Sequence, residues 1–185
     1  MKVLFVCLGN ICRSPTAHGV LERKLAMAGL SDRVEVDSAG TAAWHIGKEP
    51  DLRSQDAARK RNYDLSHLRA RQAVANDFLE YDYILAMDNS NLHNLQKILP
   101  VGGLVGGLVG GLVGGLVGGL VGGLKGEVKT QPQLFLQAFS TPNLKAKGLT
   151  EVPDPYYGEK GGFEAVLDMV EEACDQLILD IKSKL

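Results

Sequence analysis

One short segment near the N-terminus brings together a thiol, a guanidinium and a hydroxyl. Five residues separate Cys7 from Arg13, and Ser14 follows directly. A loop that leads into a helix can turn its backbone N–H groups towards an anion, and the helix N-terminus adds partial positive charge. Arginine can hold two oxygens of a tetrahedral dianion with its planar fork. The same surroundings favour the thiolate form of Cys7, which would then be a nucleophile next to bound phosphorus.

The residues inside this segment suit a tight loop around an anion. Gly9 allows a positive φ angle, and asparagine, present as Asn10, is among the few other residues that tolerate one. The Ser14 hydroxyl could donate to the Cys7 sulfur and stabilise it as a leaving group. Cys7 could instead simply end a buried strand, because free cysteine is common in apolar cores. The apolar run before the loop and the Ser-Pro pair after it favour an anion site, whose expected contacts are Leu8, Gly9, Asn10, Ile11, Cys12 and Ser14.

A second candidate for chemistry lies near the C-terminal end of the chain. Asp154 stands between Pro153 and Pro155, which stiffen the backbone and aim the carboxyl group. A phosphate monoester leaves as an alkoxide or phenolate and needs a proton, which Asp154 could supply. Tyr156 and Tyr157 offer aromatic walls for a substrate that carries a ring. Without the cysteine loop, an ordinary Asp-Pro turn would be the better interpretation.

Strands and helices that alternate along the chain must position these residues. The pattern predicts an α/β fold, with a four-stranded parallel sheet covered by helices on both faces. Ligands of such sheets bind beyond the carboxyl ends of the strands, which is where the loop after Cys7 would lie. The predicted strands are 3–7, 34–38, 83–87 and 133–139. The predicted helices begin at 14–15, 50–51 and 88–90, and a last helix carries an apolar stripe from Phe163 to Ile181.

A perfect repeat interrupts this pattern. VGGL occurs six times without error from Val101 to Leu124 and contains twelve of the 22 glycines. We interpret the chain as a single domain over 1–185, interrupted by a foreign Gly-rich apolar loop at 101–124, where insertions are tolerated. A membrane span is the alternative. Each glycine costs about 1 kcal/mol in a helix, and a span would place Cys7 and Asp154 on opposite sides of a membrane.

Composition limits the partners and the compartment. The chain has 185 residues and a net charge of -2, so neither nucleic acid nor a membrane is expected as a partner. Three cysteines do not make a disulfide framework, and the first residues do not resemble a secretion signal. We therefore expect a cytoplasmic protein with reduced thiols.

These motifs together resemble the low-molecular-weight protein tyrosine phosphatases. The resemblance covers the chain outside 101–124. It is carried by VLFVCLGNICRSPTA at 3–17, DSAGT at 37–41, SH at 66–67, YDYILAMD at 81–88 and DPYYG at 154–158. It implies the four-stranded sheet as a three-layer sandwich, and an enzyme without a metal or organic cofactor.

The resemblance also implies a role for each matching residue. Cys7 would attack phosphorus and form a cysteinyl-phosphate, and Arg13 would bind the phosphoryl oxygens. Asp154 would protonate the leaving phenolate and then serve as the base for water. A supporting hydrogen-bond shell would consist of Asn10, Ser14, Ser38 and His67, and the walls of the cleft would be Trp44, Tyr156 and Tyr157. The partners would be phosphotyrosine proteins or small aryl phosphates, with inorganic phosphate or other oxyanions as product or inhibitor.

Some alternatives stay open within and beside this family. Cys12 could form a reversible disulfide with Cys7, as the family implies, or be only a small buried neighbour. Arsenate reductases of this fold use further cysteines after the third strand, and 81–100 contains none. Arginine-phosphate phosphatases usually carry threonine where Ile11 stands, and isoleucine favours an aromatic ester. A non-catalytic engineered scaffold that kept the anion loop is the alternative outside enzymology.

Overall fold

A four-stranded parallel sheet forms the centre of the molecule. The computed structural model describes residues 1–100, 127–158 and 161–185. The strands are β1 (Lys2–Cys7), β2 (Glu35–Gly40), β3 (Tyr83–Ala86) and β4 (Gln133–Leu134), and their order in the sheet is β2-β1-β3-β4. β1 pairs with β2 and β3, and β4 joins the free edge of β3, always in parallel. The predicted fold class is thereby confirmed.

Helices cover the sheet on both faces. The long helices are α1 (Arg13–Met27), α2 (Leu52–Lys60), α4 (Asn89–Ile98) and α7 (Gly162–Lys184), and the short ones are α3 (Asp77–Glu80), α5 (Phe135–Ala138) and α6 (Pro142–Ala146). Side chains alternate across a strand. Val3 and Phe5 of β1 therefore join a core with α1 and α7, whereas Leu4 and Val6 join a second core with α3 and α4.

The fourth strand is shorter than the sequence predicts. Residues 133–139 were expected to be extended, but β4 ends at Leu134 and α5 begins at Phe135. Leu134 lies in the core on the α4 side, whereas Phe135 and Leu136 both lie in the core on the α7 side. A strand would return Leu136 to the side of Leu134, and a helical turn does not. The Phe135 ring then packs edge-on against Phe5, with ring centroids 5.0 Å apart.

The predicted insertion at 101–124 lies outside the described residues. Across the ranges that the structure does describe, no helix combines the length and apolar composition that crossing a membrane requires.

Candidate active site

The loop that follows Cys7 begins at the carboxyl end of β1, beside the carboxyl end of β2. The pairing of these strands continues past β1, because Thr41 N–H donates to the Cys7 carbonyl and Ala42 N–H to the Leu8 carbonyl, both at 2.9 Å. This close approach requires a glycine at Gly40, where a Cβ atom would meet the Leu8 carbonyl oxygen at 2.8 Å. The sheet therefore fixes the start of the loop.

The loop wraps around the Cys7 sulfur as the sequence predicts, but by a different backbone path. Asn10 has the left-handed φ angle of 55°, whereas Gly9 does not have a positive φ. The expectation for Gly9 is therefore wrong. Its lack of a side chain instead leaves room for His45, whose Cδ2 would lie 3.0 Å from a Cβ atom there. The turn at Asn10 aims its own N–H at the Cys7 sulfur, 3.2 Å away.

Two donors therefore converge on a buried sulfur. Besides the Asn10 N–H, the Ser14 hydroxyl lies 3.0 Å from Cys7 Sγ, and Cys7 is only 3% exposed. The Asn10 carboxamide ties the loop together, since its Nδ2 donates to Ser14 Oγ and to Ser38 Oγ, each at 2.9 Å. Its Oδ1 accepts from Arg71 N–H at 2.9 Å. The structure thus brings Asn10, Ser14 and Ser38 together next to Cys7.

The structure places His67 away from this network. Its side chain is 52% exposed, and its Nε2 pairs with Glu22 Oε2 at 3.1 Å. The histidine beside Ser38 is His18 of α1, to which the sequence analysis assigned no role. Its Nδ1 lies 3.4 Å from Ser38 Oγ. Within the described ranges, His67 is therefore connected to the loop through Glu22 and His18.

Arg13 is buried at the start of α1 and is held from two other elements. Its Nη1 donates to the Asp88 carboxylate and to the Val152 carbonyl, the latter at 3.1 Å, and its Nη2 donates to Asp154 Oδ2 at 3.2 Å. Burial acts against its charge, but the charges of Cys7, Asp88 and Asp154 outweigh burial and raise the pKa of the Arg13 guanidinium. The guanidinium is therefore cationic and fixed in orientation.

Asp154 lies beside Arg13, although it belongs to the C-terminal part of the chain. Val152 N–H donates to the Met87 carbonyl at 2.7 Å, which anchors the segment to the end of β3. The Asp154 carboxyl is 38% exposed, and its Oδ1 accepts from Tyr156 N–H at 3.1 Å. The candidate acid is therefore anchored by its backbone and open to solvent at its tip.

An open cleft of about 240 Å³ joins these groups. Trp44 and Tyr157 stand at its rim with 72% and 90% exposure. The cleft is lined by Cys7, Leu8, Gly9, Ile11, Cys12, Arg13, Trp44, His45, Asp154, Tyr156 and Tyr157. All three predicted chemical residues and all three predicted aromatic residues therefore face one cavity.

Arg53, which was not predicted from the sequence, connects α2 to Tyr156 at the cleft. It forms two bonds of 2.9 Å to Asp51, the N-cap of α2. From there it donates to the Tyr156 carbonyl at 3.2 Å, and its guanidinium stacks 4.9 Å from the centre of the Tyr156 ring. Arg53 thereby fixes the position of an aromatic wall relative to α2.

Cys12 differs from Cys7 in its surroundings. Burial raises the pKa of the Cys12 thiol to about 12, so Cys12 is protonated at neutral pH. Cys7, Cys12 and Cys174 are all free thiols. The disulfide between Cys7 and Cys12 stays a prediction. In the described ranges, no group of three or more His, Cys, Asp or Glu side chains is arranged to hold a metal ion.

Sequence reasoning missed several residues that support the site. Asp88 follows β3 at the carboxyl end of the sheet, so the rule that places ligands there could have identified it. Its carboxylate accepts from Arg13 and also from Asn91 N–H at the start of α4. Arg71 acts through its backbone N–H, and His18 acts through a contact between α1 and β2. Neither of the last two leaves a signal in spacing or composition.

Comparisons with known proteins relate the whole chain to one family. The family described as low molecular weight phosphotyrosine protein phosphatase matches residues 2–102 and 134–185. A Synechocystis protein whose name places it among the low molecular weight protein-tyrosine-phosphatases is 38% identical over 185 residues, which are 100% of this chain and 99% of its own. The crystal structure of a protein tyrosine phosphatase from Entamoeba histolytica is 35% identical with a TM-score of 0.78, covering 100% of this chain and 99% of its own.

A third relative bears on substrate choice. The crystal structure of a Drosophila arginine phosphatase is 32% identical with a TM-score of 0.75, covering 98% of both chains. The match to the family extends over most of the chain and includes the cysteine loop and the Asp154 segment. This chain belongs to the low molecular weight phosphotyrosine protein phosphatase family.

Proposed function

We propose that the protein hydrolyses phosphotyrosine and other aryl phosphate monoesters through a cysteinyl-phosphate intermediate. One observation carries this proposal. The Cys7 sulfur accepts from Asn10 N–H and Ser14 Oγ in the same cleft that holds Arg13 and Asp154. A nucleophile, an anion-binding group and a proton donor are thus within one cavity.

In the first step the Cys7 thiolate attacks phosphorus, and the bond from phosphorus to the phenolic oxygen breaks. Arg13 holds two phosphoryl oxygens with its fork, and backbone N–H groups of the loop hold the others. Asp154 gives its proton to the leaving oxygen.

In the second step water attacks the phosphorus of the cysteinyl-phosphate. Asp154, now a carboxylate, takes a proton from the water. The bond between sulfur and phosphorus breaks, and inorganic phosphate leaves. The Ser14 hydroxyl, 3.0 Å from Cys7 Sγ, stabilises the thiolate as it departs. This is covalent catalysis in two displacements.

Aromatic residues support an aryl substrate. Trp44, Tyr156 and Tyr157 form the rim, and Ile11 adds an apolar side chain inside the cleft. Phosphoarginine is the second candidate substrate, favoured by the similarity to the Drosophila arginine phosphatase. The guanidinium of such a substrate would meet apolar walls here. An arsenate reductase lacks support, because Cys174 is fully buried on α7 and the cleft contains only Cys7 and Cys12.

The chemistry also supports a reducing, cytoplasmic compartment. The proposed nucleophile works only as a free thiol, and Cys7 lies in a loop that contains a second free thiol.

Phosphate release from matched peptides tests the function. Peptides of one sequence that carry phosphotyrosine, phosphoserine or phosphoarginine are incubated with the protein without added metal. We expect release from phosphotyrosine alone, and none from it with Cys7→Ser. Preference for phosphoarginine would establish the second candidate. Release from none of them would support a non-catalytic scaffold and contradict the proposal.

A further inference from the structure

His18 is a buried titratable group that the proposed mechanism does not use. It is 6% exposed, lies one turn after Ser14 on α1, and contacts the network under Cys7 at Ser38. On its other side, Nε2 lies 3.2 Å from Glu22 Oε1. The second oxygen of Glu22 pairs with His67, whose ring lies edge-on to that of His18. The groups facing His18 are thus Ser38, Glu22 and His67.

The hydrogen atoms of the network determine which way each bond runs. Asn10 Oδ1 is occupied by Arg71 N–H, and both Nδ2 hydrogens are used, one on Ser14 Oγ and one on Ser38 Oγ. Ser38 Oγ therefore accepts from Asn10 and must donate its own hydrogen elsewhere. Among the described residues, the other side-chain atom within hydrogen-bond distance of this hydroxyl is His18 Nδ1.

The hydrogen that Ser38 donates also determines the tautomer of His18. If Nδ1 accepts from Ser38, the ring proton of neutral His18 is on Nε2, where it donates to Glu22. Burial of Glu22 acts against its charge, but its hydrogen bonds with His18 and His67 prevail and lower the pKa of Glu22. Glu22 is thus an ionised acceptor that holds the His18 ring with Nδ1 towards Ser38.

We propose that His18, held by Glu22 as the Nε2–H tautomer, is a positioning residue that orients Ser38 and, through Asn10, the loop under Cys7. Its role in turnover rests on the proposed function, whereas its role in holding the loop does not. Losing the acceptor leaves the Ser38 hydroxyl free to turn, and Asn10 then loses a fixed partner for one Nδ2 hydrogen. The Asn10 N–H and the Ser14 hydroxyl are then less well aimed at the sulfur.

Three variants of similar size test this role. His18→Leu removes the acceptor, His18→Asn keeps one because Asn Oδ1 occupies nearly the position of His Nδ1, and His93→Leu on the exposed surface of α4 is the control. We expect His18→Leu to lower kcat for a phenolic phosphate about fivefold, the loss typical of one buried hydrogen bond, with KM changed less than about twofold. His18→Asn should recover most of the rate, and His93→Leu should match the parent protein.

Two measurements do not depend on turnover. Alkylation of Cys7 by iodoacetate at one fixed pH should slow about fivefold in His18→Leu and recover in His18→Asn. Long-range nitrogen NMR of the unliganded parent protein should show His18 as the neutral Nε2–H tautomer. If His18→Leu folds poorly, Ser38→Ala removes the same bond together with the bond from Asn10 Nδ2, and it should slow alkylation at least as much.

Each result decides between the two proposals. An Nδ1–H or doubly protonated His18 at neutral pH, or unchanged alkylation in His18→Leu and Ser38→Ala, overturns the role of His18. A parent protein that releases no phosphate, yet shows the expected tautomer and slower alkylation in the variants, overturns the proposed function and leaves the role of His18 intact.

Discussion

The loop of residues 7–14 and the segment of residues 153–157 face each other across one cleft but are held very differently. In the loop, Cys7 and Ser14 are buried, and each polar atom that faces the sulfur has a partner within the protein. In the segment, Asp154 and Tyr157 are open to solvent, and Arg13 and Arg53 donate hydrogen bonds to the Asp154 carboxylate and the Tyr156 carbonyl.

This difference corresponds to two tasks. Stabilising a developing negative charge requires donors that are fixed before the reaction begins, since reorganising them would cost free energy. Delivering a proton and admitting a substrate ring require access from solvent. We therefore expect changes in the loop to act on kcat for every substrate, and changes in the segment to depend on the leaving group or to act on KM.

The largest expected effect comes from the sulfur itself. Cys7→Ser replaces the thiolate with a poor nucleophile but leaves Arg13 and the loop donors in place. Turnover of a phenolic phosphate should fall about a thousandfold or more, while inorganic phosphate still binds. Phosphate release and calorimetric titration measure the two properties. Loss of phosphate binding together with turnover would mean that the sulfur, not the donors, holds the loop together.

The second-largest expected effect distinguishes the task of residues 153–157 from that of the loop. Asp154→Ala removes the proton donor, and general acids typically contribute about 10²–10⁴-fold. We expect such a loss for phenyl phosphate and a much smaller one for p-nitrophenyl phosphate, whose leaving group needs little protonation. Steady-state rates over a series of substituted phenols measure the dependence. Equal losses across the series would exclude Asp154 as the acid.

Ser14→Ala tests the loop in the second half of the reaction. The hydroxyl stabilises the departing thiolate, so its removal should slow breakdown of the cysteinyl-phosphate about tenfold. Rapid-mixing experiments should then show a burst of phenol before steady state. A lower steady-state rate without a burst would place the effect on formation of the intermediate instead.

A smaller effect is expected where Arg53 supports the aromatic rim. Arg53→Ala removes the stack on Tyr156 and should raise KM about threefold with kcat unchanged, because an exposed cation–π contact contributes about 0.5–1 kcal/mol. Arg59→Ala on the same helix is the matched control, since Arg59 is exposed and pairs with Asp56 at the surface. If both variants raise KM equally, the positive charge of α2 is responsible and not the rim.

The site residues that could be predicted best are those that lie close together in the sequence. Residues 7–14 form one continuous segment from the end of β1 to the start of α1, so Cys7, Asn10, Arg13 and Ser14 could be interpreted together. Alternating strands and helices then placed this segment at the carboxyl end of the sheet. Asp154 was predicted as a proton donor only together with this loop, since its flanking prolines alone are typical of an ordinary turn.

Features that depend on packing could not be predicted in this way. The helical turn at Phe135 follows from which core admits Leu136, and three consecutive apolar residues do not encode that choice. Assigning the supporting histidine to His67 followed the motif, whereas the contact with Ser38 belongs to His18 because α1 packs beside β2. The family motif was therefore a poor guide to which histidine contacts Ser38, although His18 is only four residues after Ser14.

The smallest expected effect separates these two histidines. His67→Leu removes an exposed pair with Glu22, and such pairs contribute about 0–1 kcal/mol. Glu22 keeps its bond to His18, so kcat should change less than about twofold, against about fivefold for His18→Leu. The double variant is the decisive measurement. If His67 acts only through Glu22 and His18, the double variant is no slower than His18→Leu, because the path to Ser38 is already broken. A further loss in the double variant would show that His67 supports the loop by a separate path, as the motif alone had predicted.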